Sequence, residues 1–261
     1  MRADYHIHTS FSVDSDYAME DVMKKAISMG LEEICFTEHV DYGVRDNVPY
    51  FYENYRKEYE RCSSIYRNKI SLKYGIEFGV QTHTIDLFHQ DVQKNDFDFV
   101  ILSCHQIDDQ EFWTQEFQKG KTQREYNQAY YQEILDVMMT YKDYSVLGHL
   151  DAIKRDDREG IYPFEETKDI LSEILRLAIK DGKGIEINTS NERYGLKDLT
   201  PCRDILRLYK ELGGRILTFG SDTHKEEHVA YRIEEIKKEV KAMGFDTFCT
   251  FDKMKPIYHE L

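Results

Sequence analysis

A distorted (β/α)7 barrel of the α/β class is the fold this sequence predicts, and three observations point to it. Short apolar strands alternate with amphipathic helices along the chain, and glycines punctuate the passage from helix to following strand. Nearly every predicted strand ends in His, Asp or Glu. Alternation of this kind implies a parallel sheet with both faces covered. Only a closed barrel then gathers all the strand ends around one axis, where barrel active sites sit. The 261 residues suit one such unit, and no Pro/Gly/Ser-rich linker divides them, so residues 1–261 read as a single domain.

The elements follow in order. Tyr5–His8 is the first strand, and a helix at Met19–Met29 leads through Gly30 into the strand Glu33–His39. A helix near Asn54–Asn68 precedes the strand Leu72–Phe78, and Phe97–Cys104 is the fourth strand. A helix at Arg124–Met139 leads to Ser145–His149. In the next helix Ile170, Leu171, Ile174, Leu175, Ala178 and Ile179 form one stripe at a 3.6-residue period. Gly182 and Gly184 then introduce Ile185–Asn188. Thr200 as N-cap, Pro201 in the first turn and Gly213 past the end bound another helix. The last strand runs from Ile216 towards His224.

Composition narrows the partners. An apolar share of 41% with abundant Tyr and Phe supports a large core and excludes disorder. A net charge of −14 repels phosphate polymers and anionic membranes, so neither nucleic acid nor membrane is an expected partner. Five scattered cysteines without a CxxC pair give no disulfide framework. The start MRADYHIH lacks a signal-peptide core, and no apolar run nears the roughly 18 residues of a membrane span. A cytoplasmic protein is expected.

The strand ends carry the chemistry: His6 and His8, Glu38 and His39, Glu77, His105, His149, Asp222 and His224, with Asp14 in the first loop. Alternation puts His6 and His8 on one face of their strand, and the same period pairs Asp222 with His224. It turns Glu38 away from His39, as a partner to ligands and not as a ligand. Imidazole and carboxylate suit zinc, iron or manganese. Nine candidates, His6, His8, Asp14, His39, Glu77, His105, His149, Asp222 and His224, exceed what one catalytic ion uses. They fit about two to three divalent ions, with Glu77 placed to bridge, a device suited to attack on phosphorus. His83, His89, His228 and His259 read as ordinary solvated histidines, with His228 on a late helix, and Cys35 and Cys104 as buried packing.

Tyr5-His6-Ile-His8-Thr9-Ser10, Thr37-Glu38-His39, Gly75-Ile-Glu77, Ser103-Cys-His105, Gly148-His149-Leu-Asp151 and Gly220-Ser-Asp222-Thr-His224 together resemble the PHP (polymerase and histidinol phosphatase) superfamily. The resemblance spans essentially the whole chain. The length, Asp14, and Gly148-His-Leu-Asp-Ala-Ile-Lys-Arg155 look most like its histidinol-phosphate phosphatase branch. That resemblance implies a distorted seven-stranded barrel with a three-metal site. By it, His6, His8, Glu77 and Asp222 hold one metal, Glu77, His105 and His149 a second, and Asp14, His39 and His224 a third. Phe78-Gly-Val-Gln-Thr-His departs from the family pattern, which bears on the substrate and not on the metals.

The implied reaction is hydrolysis of a small-molecule phosphate ester, L-histidinol phosphate, in histidine biosynthesis. Arg155 and Arg193, on loops at the strand ends, are expected to grip the phosphate, because the guanidinium fork can hold two oxygens. Lys154, Arg158 and Lys225 are rivals for that role. Asp41, Asp108 and Glu192 are loop acids that could meet the substrate amine. The alternatives are another PHP phosphoesterase, acting on a nucleotide, an oligonucleotide or a phosphotyrosyl protein, and a non-catalytic metal-binding module.

Overall fold

The computed structural model describes residues 1–44 and 51–261. The chain runs β1 (Ala3–Ile7), α1 (Met19–Ser28), β2 (Glu33–Val40), α2 (Phe51–Tyr66), β3 (Ser71–Gly79), α3 (Ile85–Lys94) and β4 (Phe99–Ser103). A small hairpin, β5 (Gln106–Ile107) and β6 (Gln110–Glu111), precedes α4 (Gln123–Thr140) and β7 (Val146–Leu147). Then come α5 (Lys168–Lys180), β8 (Gly184–Asn188), α6 (Arg203–Glu211), β9 (Leu217–Gly220), α7 (Ile233–Ala242) and a terminal hairpin, β10 (Thr247–Asp252) and β11 (Lys255–Glu260).

Seven parallel strands form one sheet in the order β1-β2-β3-β4-β7-β8-β9, which is the order of the chain. The ends meet just beyond β9, where Ile7 bridges Thr223 in parallel register and the His8 N–H donates to the Thr223 carbonyl at 2.8 Å. The Asp4 carboxylate staples the same seam, accepting from the backbone of Ser221 and Ala230 and from the Ser221 hydroxyl. Sheet, helices and near-closure are those of a distorted (β/α)7 barrel.

Outward strand residues such as Ile34, Phe36, Ile76, Phe78, Ile185 and Phe219 pack with the helices in the main core. A second cluster of Ala3, Tyr5, Cys35, Phe99, Ile101, Val146 and Phe251 fills the amino end of the lumen. The terminal hairpin plugs that end: the Phe251 N–H donates to the Tyr5 hydroxyl at 2.9 Å and its ring meets Phe99 at 5.0 Å. One irregularity in β1 makes this possible. Three residue steps from Asp4 to Ile7 face only two from Ile34 to Phe36, so β1 carries an extra residue. Tyr5 therefore faces the apolar plug while His6 and His8 face the polar end, and Ile7 packs outward.

Three expectations need correction. Helix α6 opens at Arg203 with Cys202 at its cap, not at Thr200 and Pro201. The Thr200 backbone is spent on β8, its carbonyl accepting from the Asn188 N–H at 2.7 Å. His228 lies in a single 3-10 turn, Glu226–His228, and not on a helix of any length. His259 is only partly exposed, because it faces Thr250 across the terminal hairpin. Among the described residues no helix is long and apolar enough to cross a membrane.

Candidate metal centre

Each of the nine candidate side chains arrives at the carboxyl end of the barrel on a strand end or the loop after it. Glu77, fully buried on β3, stands at the middle. Its Oε2 lies 3.1 Å from His6 Nε2, 3.4 Å from His8 Nε2 and 2.9 Å from His39 Nδ1. Its Oε1 lies 2.9 Å from His149 Nε2 and 3.3 Å from His105 Nε2, and accepts from the Ser103 hydroxyl at 2.7 Å. One carboxylate thus divides its oxygens between two sets of imidazoles. Asp222 Oδ1 sits 3.7 Å from both His6 Nε2 and His8 Nε2, and 3.6 Å from His224 Nδ1. Asp14 reaches His39 Nε2 at 3.5 Å and His224 Nε2 at 3.4 Å. All nine side chains form one contiguous cluster.

The imidazoles are held from behind by Glu38, as strand alternation expects, and by further groups that the strand pattern does not reveal. His6 Nδ1 lies 2.5 Å from Glu186 Oε1 on β8, and the other Glu186 oxygen accepts the His149 N–H at 2.8 Å. His105 Nδ1 lies 2.7 Å from Asp41 Oδ1. His8 Nδ1 lies 3.1 Å from the Ser12 hydroxyl, which itself donates to Glu38 at 2.6 Å. Glu38, turned away from the cluster, also accepts from the Thr9 N–H and hydroxyl. Such outer partners fix ring orientation and raise ligand basicity. Close approach demands glycine twice. A β-carbon at Gly220 would strike Glu186 Oε1 and His6 Cβ, and one at Gly79 would strike Asp41 Oδ1 and His105 Nδ1.

The electrostatics are those of coupled, desolvated groups. Burial alone would push the His6 ring down, but the Glu186, Glu77 and Asp222 carboxylates hold it well above the usual imidazole range. Burial is likewise overcome at His105, where Asp41 and Glu77 push the ring up to about 10. Burial, together with the neighbouring His39 and His224, holds His8 well below that range. Glu77 and Asp222 stay well below the carboxylate range despite burial, because His6 and its neighbours favour the charged form.

The donor set fits divalent metal. Four triads offer ligand atoms within 4.8 Å of one another: His8 with His39 and His224, His6 with His8 and Asp222, His6 with Glu77 and His149, and His39 with Glu77 and His105. His8 Nε2 and His39 Nδ1 are buried there close to Glu77 Oε2 but make no aligned hydrogen bond, a costly state for polar atoms unless something else binds them. Imidazole nitrogen and carboxylate oxygen are ligands for borderline ions.

A cleft of about 350 Å³ opens over the cluster, lined by Asp14, His39, His105, His149, Asp222 and His224 on its floor. Arg155, 11% exposed, lines it as well, stacked 4.2 Å over the Tyr194 ring and donating to Ser190 Oγ at 2.9 Å and Asp222 Oδ2 at 3.1 Å. Arg193 meets Asp222 from behind, its Nη2 donating to the carbonyls of Ser221 at 2.8 Å and Asp222 at 2.7 Å. Lys154 is taken up by Asp151 and the Leu199 carbonyl, and Arg158 is exposed. Of the loop acids, Asp41 is occupied with His105, Glu192 with Arg232 and Tyr231, and Asp108 is exposed on the β5–β6 turn.

A parallel barrel that collects imidazoles and carboxylates around one buried glutamate, beneath an arginine-lined cleft, is built as a metal-dependent hydrolase. The chain belongs to the PHP domain family, whose pattern matches residues 4–190. It is similar to a histidinol-phosphatase of Lactococcus lactis subsp. lactis, 33% identical over 97% of this chain and 96% of the relative. The crystal structure of histidinol phosphate phosphatase from that organism, complexed with zinc, L-histidinol and phosphate, superposes with a TM-score of 0.86. The match covers 98% of each chain. A Listeria monocytogenes chain, 18% identical, gives a TM-score of 0.77 over 90% of this chain and 99% of its own, and speaks for the fold alone.

Proposed function

We propose that this chain is a metal-dependent phosphomonoesterase that hydrolyses L-histidinol phosphate to L-histidinol and phosphate in histidine biosynthesis. The observation that carries the reading is Glu77, one buried carboxylate shared between two imidazole sets at the floor of an arginine-lined cleft. Similarity to the Lactococcus protein over nearly the full length of both chains supports the same activity. We take residues 1–261 as one catalytic domain.

His6, His8, Glu77 and Asp222 are the proposed ligands of one ion, Glu77, His105 and His149 of a second, and Asp14, His39 and His224 of a third. About two to three divalent ions, zinc, iron or manganese, are implied by that donor count. Divalent metal bound there would supply what cleavage of a P–O bond needs: neutralised phosphate charge and acidified water. The rest falls to the protein. Glu77 and Asp222 remain charged at neutral pH and keep the cluster compact. Arg155 offers a guanidinium to the phosphate oxygens, already oriented by Tyr194 and Ser190. Arg193 fixes the backbone that presents Asp222 and lends the same phosphate a second positive charge from farther off.

The substrate comparison is direct. Histidinol phosphate should be turned over far faster than bis-p-nitrophenyl phosphate, a nucleotide, phosphotyrosine or single-stranded DNA. A preference for diesters or polymers would move the protein elsewhere in its family, and no turnover of any ester would leave a metal-binding module.

A further inference from the structure

The parallel strands around the cleft end in proposed metal ligands, but β8 ends in Asn188, fully buried beside them. Its amide is engaged at both ends. The Ser190 N–H donates to one amide atom at 3.1 Å and the Ser190 hydroxyl to the same atom at 2.5 Å, so that atom is the oxygen, Oδ1. Nδ2 then faces two carboxylates, which accept: Glu186 Oε2 at 3.3 Å and Asp222 Oδ2 at 3.2 Å. The Glu186 oxygen is the one that also accepts the His149 N–H. The other Asp222 oxygen, Oδ1, is the one that faces His6 and His8. One neutral side chain thus stands between two buried carboxylates and donates to both, where a lost donor is costly.

The two groups that this amide fixes beyond Glu186 are the two that hold Arg155. Arg155 Nη2 donates to Ser190 Oγ at 2.9 Å and to Asp222 Oδ2 at 3.1 Å. A hydroxyl carries one proton, and giving it to Asn188 Oδ1 turns the lone pairs of Ser190 towards the guanidinium. The amide N–H on Asp222 Oδ2 sits beside the arginine contact and fixes the same oxygen. Both contacts use a single nitrogen of the fork, which leaves its other N–H groups for phosphate oxygens. We infer that Asn188 is a positioning residue for the phosphate: it acts by holding Ser190 and Asp222 where they aim Arg155 into the cleft. The inference rests on the reading above that Arg155 grips the phosphate.

The test is a double-variant cycle in the metal-loaded protein, reading both kcat/KM for histidinol phosphate and the Kd of inorganic phosphate by calorimetry. Asn188→Ala should weaken each about tenfold. In an Arg155→Ala background the same change should add almost nothing, because the group it positions has gone. Ser190→Ala removes the hydroxyl alone; its smaller loss should vanish in the same background, and it serves where Asn188→Ala does not fold. Elemental analysis should find metal content unchanged, since the amide holds Asp222 Oδ2 and the imidazoles face Oδ1. Losses that multiply with that of Arg155→Ala overturn the positioning role. Metal lost from Asn188→Ala overturns it too, by assigning the amide to the metal centre. An Arg155→Ala protein with full kcat/KM and phosphate affinity overturns the arginine reading, and the inference with it.

Discussion

Arg155 and Arg193 both follow strand ends, yet their guanidiniums meet different faces of Asp222. Arg155 touches its carboxylate from within the cleft, whereas Arg193 holds its carbonyl from behind. A charged hydrogen bond to phosphate is worth about 1.5–3 kcal/mol. Arg155→Ala should therefore lower kcat/KM about ten- to over a hundredfold with metal content intact, and Lys should rescue it only partly. Arg193→Ala should lower kcat/KM and loosen metal as well, measured by elemental analysis after dialysis. Full activity in both variants would leave the phosphate to metals and backbone alone. Glu186→Gln tests the outer partners: weakening the hold on His6 should cost about ten- to a hundredfold in metal affinity. The titration has a definite sign. With His105 pushed up to about 10 and the His6 and His224 rings raised by their carboxylate neighbours, the metal-free cluster holds protons that metal must displace. Loading must then release protons, and affinity must climb as pH rises towards 10. Calorimetric titration in buffers of different ionisation enthalpy reads the release, and none would contradict it.

At the scale of elements, the barrel was legible because strand alternation and terminal polar residues are local signals, and His6, His8, Glu77 and Asp222 sit where that pattern puts them. Of their supports Glu38 was legible from alternation, but the others were not, because contact across the lumen joins residues far apart in sequence: His6 and Glu186 are separated by 180 positions, Asp4 and Ser221 by 217. Helix α3 escaped notice because it buries only Phe88 and Asp91, with Asp91 satisfied by the Tyr42 and Tyr52 hydroxyls. Helix α7 did carry a signal in Ile233, Ile236 and Val240, and α4 in the Thr122-to-Glu125 capping box. The terminal hairpin has an apolar side only because the barrel floor needs a plug. Phe251→Ala should cost about 3–5 kcal/mol in chemical unfolding while leaving metal content unchanged, since the floor and the cluster lie at opposite ends. Gly220→Ala should do the reverse of that separation. Its methyl meets Glu186 and His6, so metal retention should fall along with a loss of about 1–3 kcal/mol from overpacking.

For the whole molecule, a net charge of −14 and an anionic substrate conflict unless the cleft differs in sign from the surface. Three carboxylates among six imidazoles, overlooked by Arg155, provide that difference once divalent ions are bound. The centre and the substrate preference are therefore one claim: the protein attracts a small phosphate ester only when the cluster is loaded. The most direct test strips the protein with a chelator and follows histidinol phosphate hydrolysis as zinc, iron or manganese is returned in measured equivalents. The metal-free protein should be inactive, and activity should rise until about two to three equivalents are bound and then level off. Undiminished activity in the stripped protein, or saturation at a single equivalent, would contradict the multinuclear centre.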